Sequence, residues 1–248
     1  MIVRSQVAFS YGGQCIDTAI AGFTTLAVSG RGNFTTAVNS TDLASDGAKY
    51  LSSRIESKKL TVNFFLQASS LSDLADKTGK LKQFLSVRNT EVSFADDGYR
   101  YTGTVTSLTF DDTTLHPTGT IEITLSDPYC YSAEKTITGT GTSVSLSEYD
   151  DTGFANLPAA IEFTPTEGIS TFQITSNQGK HFLLNQSVSA GKKIVIDFKT
   201  LTCTVNGATV LSSVSLNSNF ADFKIDHNTK LTFNANGNYA IRFEVKKL

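Results

Sequence analysis

The plainest pattern in this chain is alternation with a period of two. In GTIEITLS (119–126), Ile121, Ile123 and Leu125 alternate with Thr120, Glu122 and Thr124, which predicts a strand with one buried face. LTVNFFLQ (60–67) repeats the pattern, with Val62, Phe64 and Leu66 on one face and Thr61, Asn63 and Gln67 mostly on the other. EVSFAD (91–96) and YRYTGTVTSLTF (99–110) predict two more strands, with Asp96-Asp97-Gly98 as the turn between them. In SSLSDLADKTGKLKQFLS (69–86) the period changes. Leu71, Leu74, Ala75, Leu81, Phe84 and Leu85 fall at helical spacing. Ser70 is placed to cap this helix and Asp73 to sit in its first turn. Lys77, Lys80 and Lys82 lie on the polar side, and Gly79 costs about 1 kcal/mol relative to alanine. This is the one helix the pattern predicts. Residues 1–30 read as short strands broken at Gly12-Gly13, and AGFTTLAVSGRGNF ends a strand at Gly30-Arg31-Gly32. Residues 33–59 are polar, with Asp46-Gly47 as a turn signal. Strands, one helix, then strands make a small α+β unit.

After GTIEITLS comes Asp127-Pro128-Tyr129, with Tyr131 close behind. Pro128 cannot donate a ladder hydrogen bond and biases Asp127 to an extended conformation, so pairing stops and a domain is expected to end. Residues 132–157 are Ser, Thr, Gly, Asp and Glu with little apolar periodicity beyond Val144 and Leu146, the composition of a linker or a loosely attached edge segment. The expected division is therefore residues 1–133, a linker or edge segment 134–157, and residues 158–248. The last part contains AIEFT, STFQITS, KHFLL, KIVIDF, TLTCTVNGATV, KLTFN and YAIRFEV. Asn206-Gly207 is the strongest hairpin signal, and Asn234-Ala-Asn236-Gly237 reads as another turn. Many short strands with regular turns predict a β-sandwich or jelly roll. The whole is mainly β, without an internal repeat.

Composition narrows the function classes. The 248 residues carry a net charge of −2, with 11 Lys and Arg against 14 Asp and Glu through residue 134 and 10 against 9 beyond it. Neither half is basic, so the electrostatic footprint of a nucleic-acid binder is missing. Three cysteines, Cys15, Cys130 and Cys203, are far apart. That argues against a disulfide framework or a zinc site and fits a reducing compartment. MIVRSQVAFSYGG lacks the apolar run of a signal peptide, and no stretch reaches the ~18 apolar residues of a membrane span. The expectation is a soluble protein made in a cytosol, with no membrane partner.

A catalytic constellation is not expected. His116, His181 and His227 have no ligand at metal spacing, so no metal site is expected. Asp96-Asp97 and Asp111-Asp112 sit at strand ends beside turn residues, and Asp150-Asp151 falls in the expected linker. The cysteines read as small core residues. Gly30-Arg31-Gly32 and Gly139-Thr-Gly141 lack phosphate-loop spacing, so no cofactor is expected. Asn33, Asn39 and Asn185 match the glycosylation pattern, which carries little without a secretion signal. A sandwich raises the possibility of sugar binding; with no Trp in the chain, Tyr149, Phe154 or Tyr239 would have to serve as the stacking platform. A carbohydrate-binding module for bacterial wall polysaccharide is the rival reading. A polysaccharide hydrolase is a third, and it needs two converging carboxylates that no spacing here suggests.

The Gly-Arg strand end, LTVNFFLQ, the amphipathic helix, DDGYRYTGTV and the strand running into SDPYCY, in that order, resemble the N-terminal domain of the distal tail proteins of long, non-contractile-tailed bacteriophages. KKIVIDFKTLTCTVNGATV is similar to the C-terminal, galectin-like domain of the same proteins. The resemblance covers nearly the whole chain. It implies a tail-tube-like β-barrel with one helix followed by a galectin-like β-sandwich, and a structural rather than enzymatic role. It further implies a hexameric ring at the tail tip, built by the first domains around a channel through which DNA passes without specific binding. One face of that ring would meet the tail tube protein and the other the tail-tip protein. The second domains would project outward and could hold receptor-binding proteins. The implied location is the virion tail tip, after synthesis in the host bacterial cytoplasm.

Overall fold

The computed structural model describes residues 5–248 and divides into two compact units, one ending at Tyr131 and the other spanning Ser132–Lys247. The first unit contains β1 (Phe9–Tyr11), β2 (Gln14–Cys15), α1 (Ile16–Ala19), β3 (Phe23–Ser29), β4 (Thr36–Asp42), β5 (Ala48–Ile55), β6 (Lys58–Leu66), α2 (Leu71–Leu85), β7 (Thr90–Phe94), β8 (Asp97–Phe110), β9 (Thr118–Leu125) and β10 (Cys130–Ser132). Its antiparallel sheet runs β2-β1-β7-β8-β9-β6-β3, with β10 beside β8. The alternation of β6 and β9 is realised: Leu60, Val62, Phe64 and Leu66 are buried together with Ile121, Ile123 and Leu125. The helix α2 adds Leu74, Leu81 and Leu85 to the same core. Ser70 caps it by accepting from Asp73 N at 3.1 Å. Leu71, counted on the apolar face from spacing alone, is exposed.

The one-helix expectation is corrected by α1, whose four residues are too few to show a helical period. Despite its length α1 holds the sheet together. The helix lies in the chain between β2 and β3, the two ends of the ladder, and Asp17 at its second position is buried. Asp17 Oδ2 accepts from Phe9 N of β1 at 2.9 Å and from Thr25 Oγ1 of β3 at 2.7 Å, while Oδ1 accepts from Thr25 N at 2.8 Å. One carboxylate thus satisfies backbone donors on β1, next to one end of the ladder, and on β3 at the other end, which would otherwise be orphaned in the interior.

The second unit contains β11 (Lys135–Ser145), β12 (Ala160–Pro165), β13 (Phe172–Ser176), β14 (His181–Leu184), β15 (Ile194–Asp197), β16 (Thr202–Val205), β17 (Ala208–Thr209) and β18 (Lys230–Phe243). The order is β14-β13-β18-β12-β15-β16-β17, with β11 on the free side of β18. The first half of β18 pairs with β13 and the second half with β12. This sandwich-like arrangement closes over a phenylalanine-rich core that includes Phe163, Phe172, Phe182, Phe198, Phe233 and Phe243.

Two sequence expectations change here. Asn234-Ala-Asn236-Gly237 is not a turn but the middle of β18. Asn234 spends its amide on the neighbouring segment, accepting from Gln173 N at 2.8 Å and donating to Thr171 O at 3.0 Å. Gly237 is there for close approach, since a Cβ at that position would lie 2.4 Å from Thr164 O and 2.6 Å from the Phe163 ring. The polar stretch 134–157, expected as a linker or edge segment, contains β11. That strand pairs with β18 from Lys135↔Phe243 to Ser145↔Lys230, with a shift of register after Gly141. Its threonines face outward and leave no apolar stripe to read. Asn206-Gly207 does form a turn, with both residues at positive φ, between β16 and β17.

Candidate assembly surfaces

The groups that chemistry would require are scattered and individually occupied. Among the described residues no three His, Cys, Asp or Glu side chains come together as a metal would need. His227 Nδ1 lies 2.7 Å from Tyr149 O, His116 packs beside Phe65, and the His181 amide is held by Asn219 Oδ1. Asp111 accepts from the amide and hydroxyl of Thr113, which lowers its pKa. Asp150 accepts from Lys247 at 2.6 Å and from Thr152, and its pKa is also pushed down. Both are turn acids, as their neighbours suggested. Cys130 and Cys203 are buried, and burial raises both thiols, Cys203 to about 11. A thiol so placed is inert. Of the three aromatics considered as a sugar platform, each more simply read as a packing residue, Tyr149 is one. It is buried, stacked on Phe243 at 5.3 Å, with its hydroxyl donating to Phe154 O at 2.7 Å. Tyr239 stacks on Phe233 and covers Gly139. Phe154 is exposed. Among the described residues no helix is long and apolar enough to cross a membrane.

What the first unit does present is an arm. β4 and β5 pair only with each other, forming a two-stranded sheet separate from the main ladder. The polar composition of residues 33–59 concealed it. Its register assigns the faces, because directly paired residues share one. Thr36↔Ile55, Val38↔Ser53 and Ser40↔Tyr50 lie on one side, with Leu51 as the extra residue of a bulge. Ala37↔Arg54, Asn39↔Ser52 and Thr41↔Lys49 lie on the other. The first side carries Val38, Tyr50 and Ile55 among Thr36, Ser40 and Ser53, and Val38 is 60% exposed, Tyr50 61% and the bulge residue Leu51 51%. Phe34, at the root, is exposed as well.

The root of the arm is clasped. Arg31 follows β3 and precedes the arm, and its guanidinium meets Asp96 in a two-pronged pair at 2.8 and 3.0 Å. It also reaches Asp97 Oδ2 at 3.4 Å and lies 5.2 Å over the Phe94 ring. The pair raises the pKa of Arg31 and lowers that of Asp96. Asp97 in turn accepts from the buried Tyr101 hydroxyl at 2.6 Å. Desolvation, reinforced by this hydrogen bond, raises the pKa of that phenol. The Gly-Arg strand end and DDGYRYTG, two stretches on which the resemblance rests, are therefore the two halves of one ion pair. Asp96 stands in the β7–β8 turn as its sequence suggests, but Asp97 already pairs with Phe94 as the first residue of β8. Beside Arg31, Gly30 takes φ +94, and a Cβ there would lie 2.2 Å from Lys59 O. The chain turns out towards the arm at a point only glycine fits.

The exit of β9 is also built from its own residues. Asp127 Oδ1 accepts from Tyr129 N at 3.1 Å, and Tyr131 donates its hydroxyl to Asp127 Oδ2 at 2.7 Å. Pro128 between them is buried.

Fold and surfaces together give two β units, the first with a separate two-stranded arm. Comparison with known proteins finds its likenesses among phage tail components. Residues 152–246 match the family model of the siphovirus-type tail component, C-terminal domain. The chain has the fold of the SPP1 Dit (gp 19.1) protein, described as a paradigm of hub adsorption apparatus in Gram-positive infecting phages. The TM-score is 0.80 at 20% identity, over 97% of this chain and 99% of that one. A chain of the phage P2 baseplate in its activated conformation with Ca matches at TM-score 0.50 and 7% identity, over 92% and 91%. No curated protein matches in sequence. The resemblance to phage distal tail proteins is borne out by the family-model match over residues 152–246 and by the shared fold.

Proposed function

We propose that the chain forms a hexameric ring at the distal end of the phage tail, joining the tail tube to the tip and serving as a platform for receptor-binding components. In this reading residues 1–133 build the ring around a channel for DNA and residues 158–248 form the outward galectin-like domain. The single observation that carries it is the arm. A lone two-stranded hairpin is marginal in water, and covering the exposed half of Val38, Tyr50 and Leu51 is worth roughly 1 kcal/mol each. An arm with these side chains exposed therefore calls for a partner, and neighbouring copies in a ring supply one six times over. The SPP1 Dit fold supports the same reading, since that protein is described as a hub. The slightly acidic balance of the first 134 residues suits a channel that DNA traverses without adhering.

The test removes the arm alone. Replacing residues 34–55 by a short Gly-Ser link leaves both cores untouched. The expected result is a folded monomer where the parent chain gives a ring. Rings that persist without the arm would refute the reading of what holds them together.

A further inference from the structure

Asn-Gly occurs twice in the chain, as Asn206-Gly207 and Asn236-Gly237. Glycine has no Cβ to crowd its own amide, so that amide can reach the asparagine side chain before it. We infer that Asn206 is a site of spontaneous covalent modification, deamidation through a cyclic imide, and that the fold holds Asn236 against the same reaction. Gly207 N loses its proton and attacks Asn206 Cγ, and the bond from Cγ to the side-chain nitrogen breaks, releasing ammonia. Water then opens the imide. Attack at the side-chain carbonyl gives aspartate. Attack at the main-chain carbonyl gives isoaspartate, in which the chain runs through the former side chain. No oxidant or reductant is needed. The reaction involves the second unit alone and is independent of the ring.

At Asn206 the fold leaves the reacting groups free. Asn206 and Gly207 are the exposed residues of the turn between β16 and β17, at φ +49 and +84, the conformation of a tight hairpin turn. Asn206 N donates to Lys193 O at 2.7 Å. Among the described residues the Gly207 amide and the Asn206 side chain form no hydrogen bond. β17 is two residues long, lies at the end of its sheet and pairs with β16 through Val205↔Ala208 and Thr204↔Thr209. A brief opening of this edge gives the turn the rotation that ring closure needs, and it breaks little structure. Asn236 is placed oppositely, in the middle of β18. Gly237 is buried, facing Gly141 of β11 on one side and Pro165 of β12 on the other. Asn236 O accepts from Thr166 N at 3.0 Å and from Thr166 Oγ1 at 3.1 Å. Rotating this peptide means opening the centre of the sheet, at a cost near the full stability of the unit.

The two products act differently on the edge. Aspartate tolerates positive φ, so the turn survives with one added negative charge. Isoaspartate adds a methylene to the main chain inside a two-residue turn, where loop length and turn type fix the register of the flanking strands. β17 then parts from β16. Val210 is next to loosen; it is buried, and its amide is bonded to Cys203 O at 2.9 Å.

The test is a timed incubation of the full-length protein in warm, mildly alkaline buffer. Peptide mapping by mass spectrometry reads acid formation at each asparagine, and labelling with an isoaspartyl methyltransferase reads the isomerised product. A parallel sample in guanidinium chloride gives the unfolded rates, which the shared Asn-Gly sequence should make similar. In the folded protein Asn206 should convert at least about tenfold faster than Asn236. Hydrogen exchange over β16 and β17 should be faster in the isoaspartyl fraction, while Asn206→Asp, the ordinary product, exchanges like the parent. Folded protein in which both sites convert alike would overturn the assignment. So would an Asn206 that stays intact while the unfolded sample converts. An isoaspartyl fraction that exchanges like the parent over β16 and β17 would overturn the effect on the edge.

Discussion

Asp17 is the most economical place to test how the first unit is held together. Its carboxylate accepts three hydrogen bonds at 2.7 to 2.9 Å, two of them from backbone amides on different strands. In Asp17→Asn one orientation of the new amide keeps the acceptor on Thr25 N and lets the Thr25 hydroxyl turn to accept. Phe9 N is then left facing a donor. One orphaned buried amide costs about 1–3 kcal/mol, so about 2 kcal/mol is expected. Asp17→Ala orphans both amides, and about 3–4 kcal/mol is expected, reduced to the extent that removing a buried charge relieves its desolvation. Native-state hydrogen exchange read by mass spectrometry separates the two units. Peptides covering β1, β3 and β6 should exchange about a hundredfold faster in the alanine variant, since every 1.4 kcal/mol is tenfold. Peptides covering β12 and β15 should be unchanged. An alanine variant whose first unit exchanges within about threefold of the parent would refute the view that this carboxylate ties β1 to β3.

Three further outcomes are expected. Gly237→Ala forces a Cβ into Thr164 O and the Phe163 ring, and should lower the stability of the second unit by about 2–3 kcal/mol; a neutral effect in urea unfolding would mean the close approach is not needed. Leu201 adopts φ +54 while largely solvated, so Leu201→Asn should raise stability by about 1 kcal/mol, and a loss would show that its side chain contributes more than the strain costs. Asp73 is held to about 2 by the Ser69 amide, then by Lys77 and the Ser69 hydroxyl, a folded value below the unfolded one near 3.9. Its support for the start of α2 is therefore present above about pH 4 and lost as the pH falls towards 2. A carboxyl titration by NMR with a midpoint near 3.9 would contradict this.

Much of the fold is legible in the residues, and the failures share a cause. β6, β9 and α2 bury one face each, so their period shows in the sequence. The arm buries neither face, so its apolar residues look like scatter in a polar stretch, although Asp46-Gly47 marks its turn. β11 has threonines where a core strand would show aliphatics. α1 is barely one turn long and cannot repeat a period. In β18, Asn234 and Gly237 have the residue types of a turn but serve hydrogen bonding and close packing between strands. The clasp shows a different limit. Arg31 and Asp96 each belong to a turn motif, but a pairing across 65 residues of sequence leaves no local mark.

The central claim is the ring, and the most direct measurement is the mass of the purified protein in solution. Light scattering after size exclusion, with negative-stain images of the same peak, should give six 26.7 kDa chains, or a pair of such rings, around a visible central hole. A particle of one or two chains at every concentration tried would contradict the account.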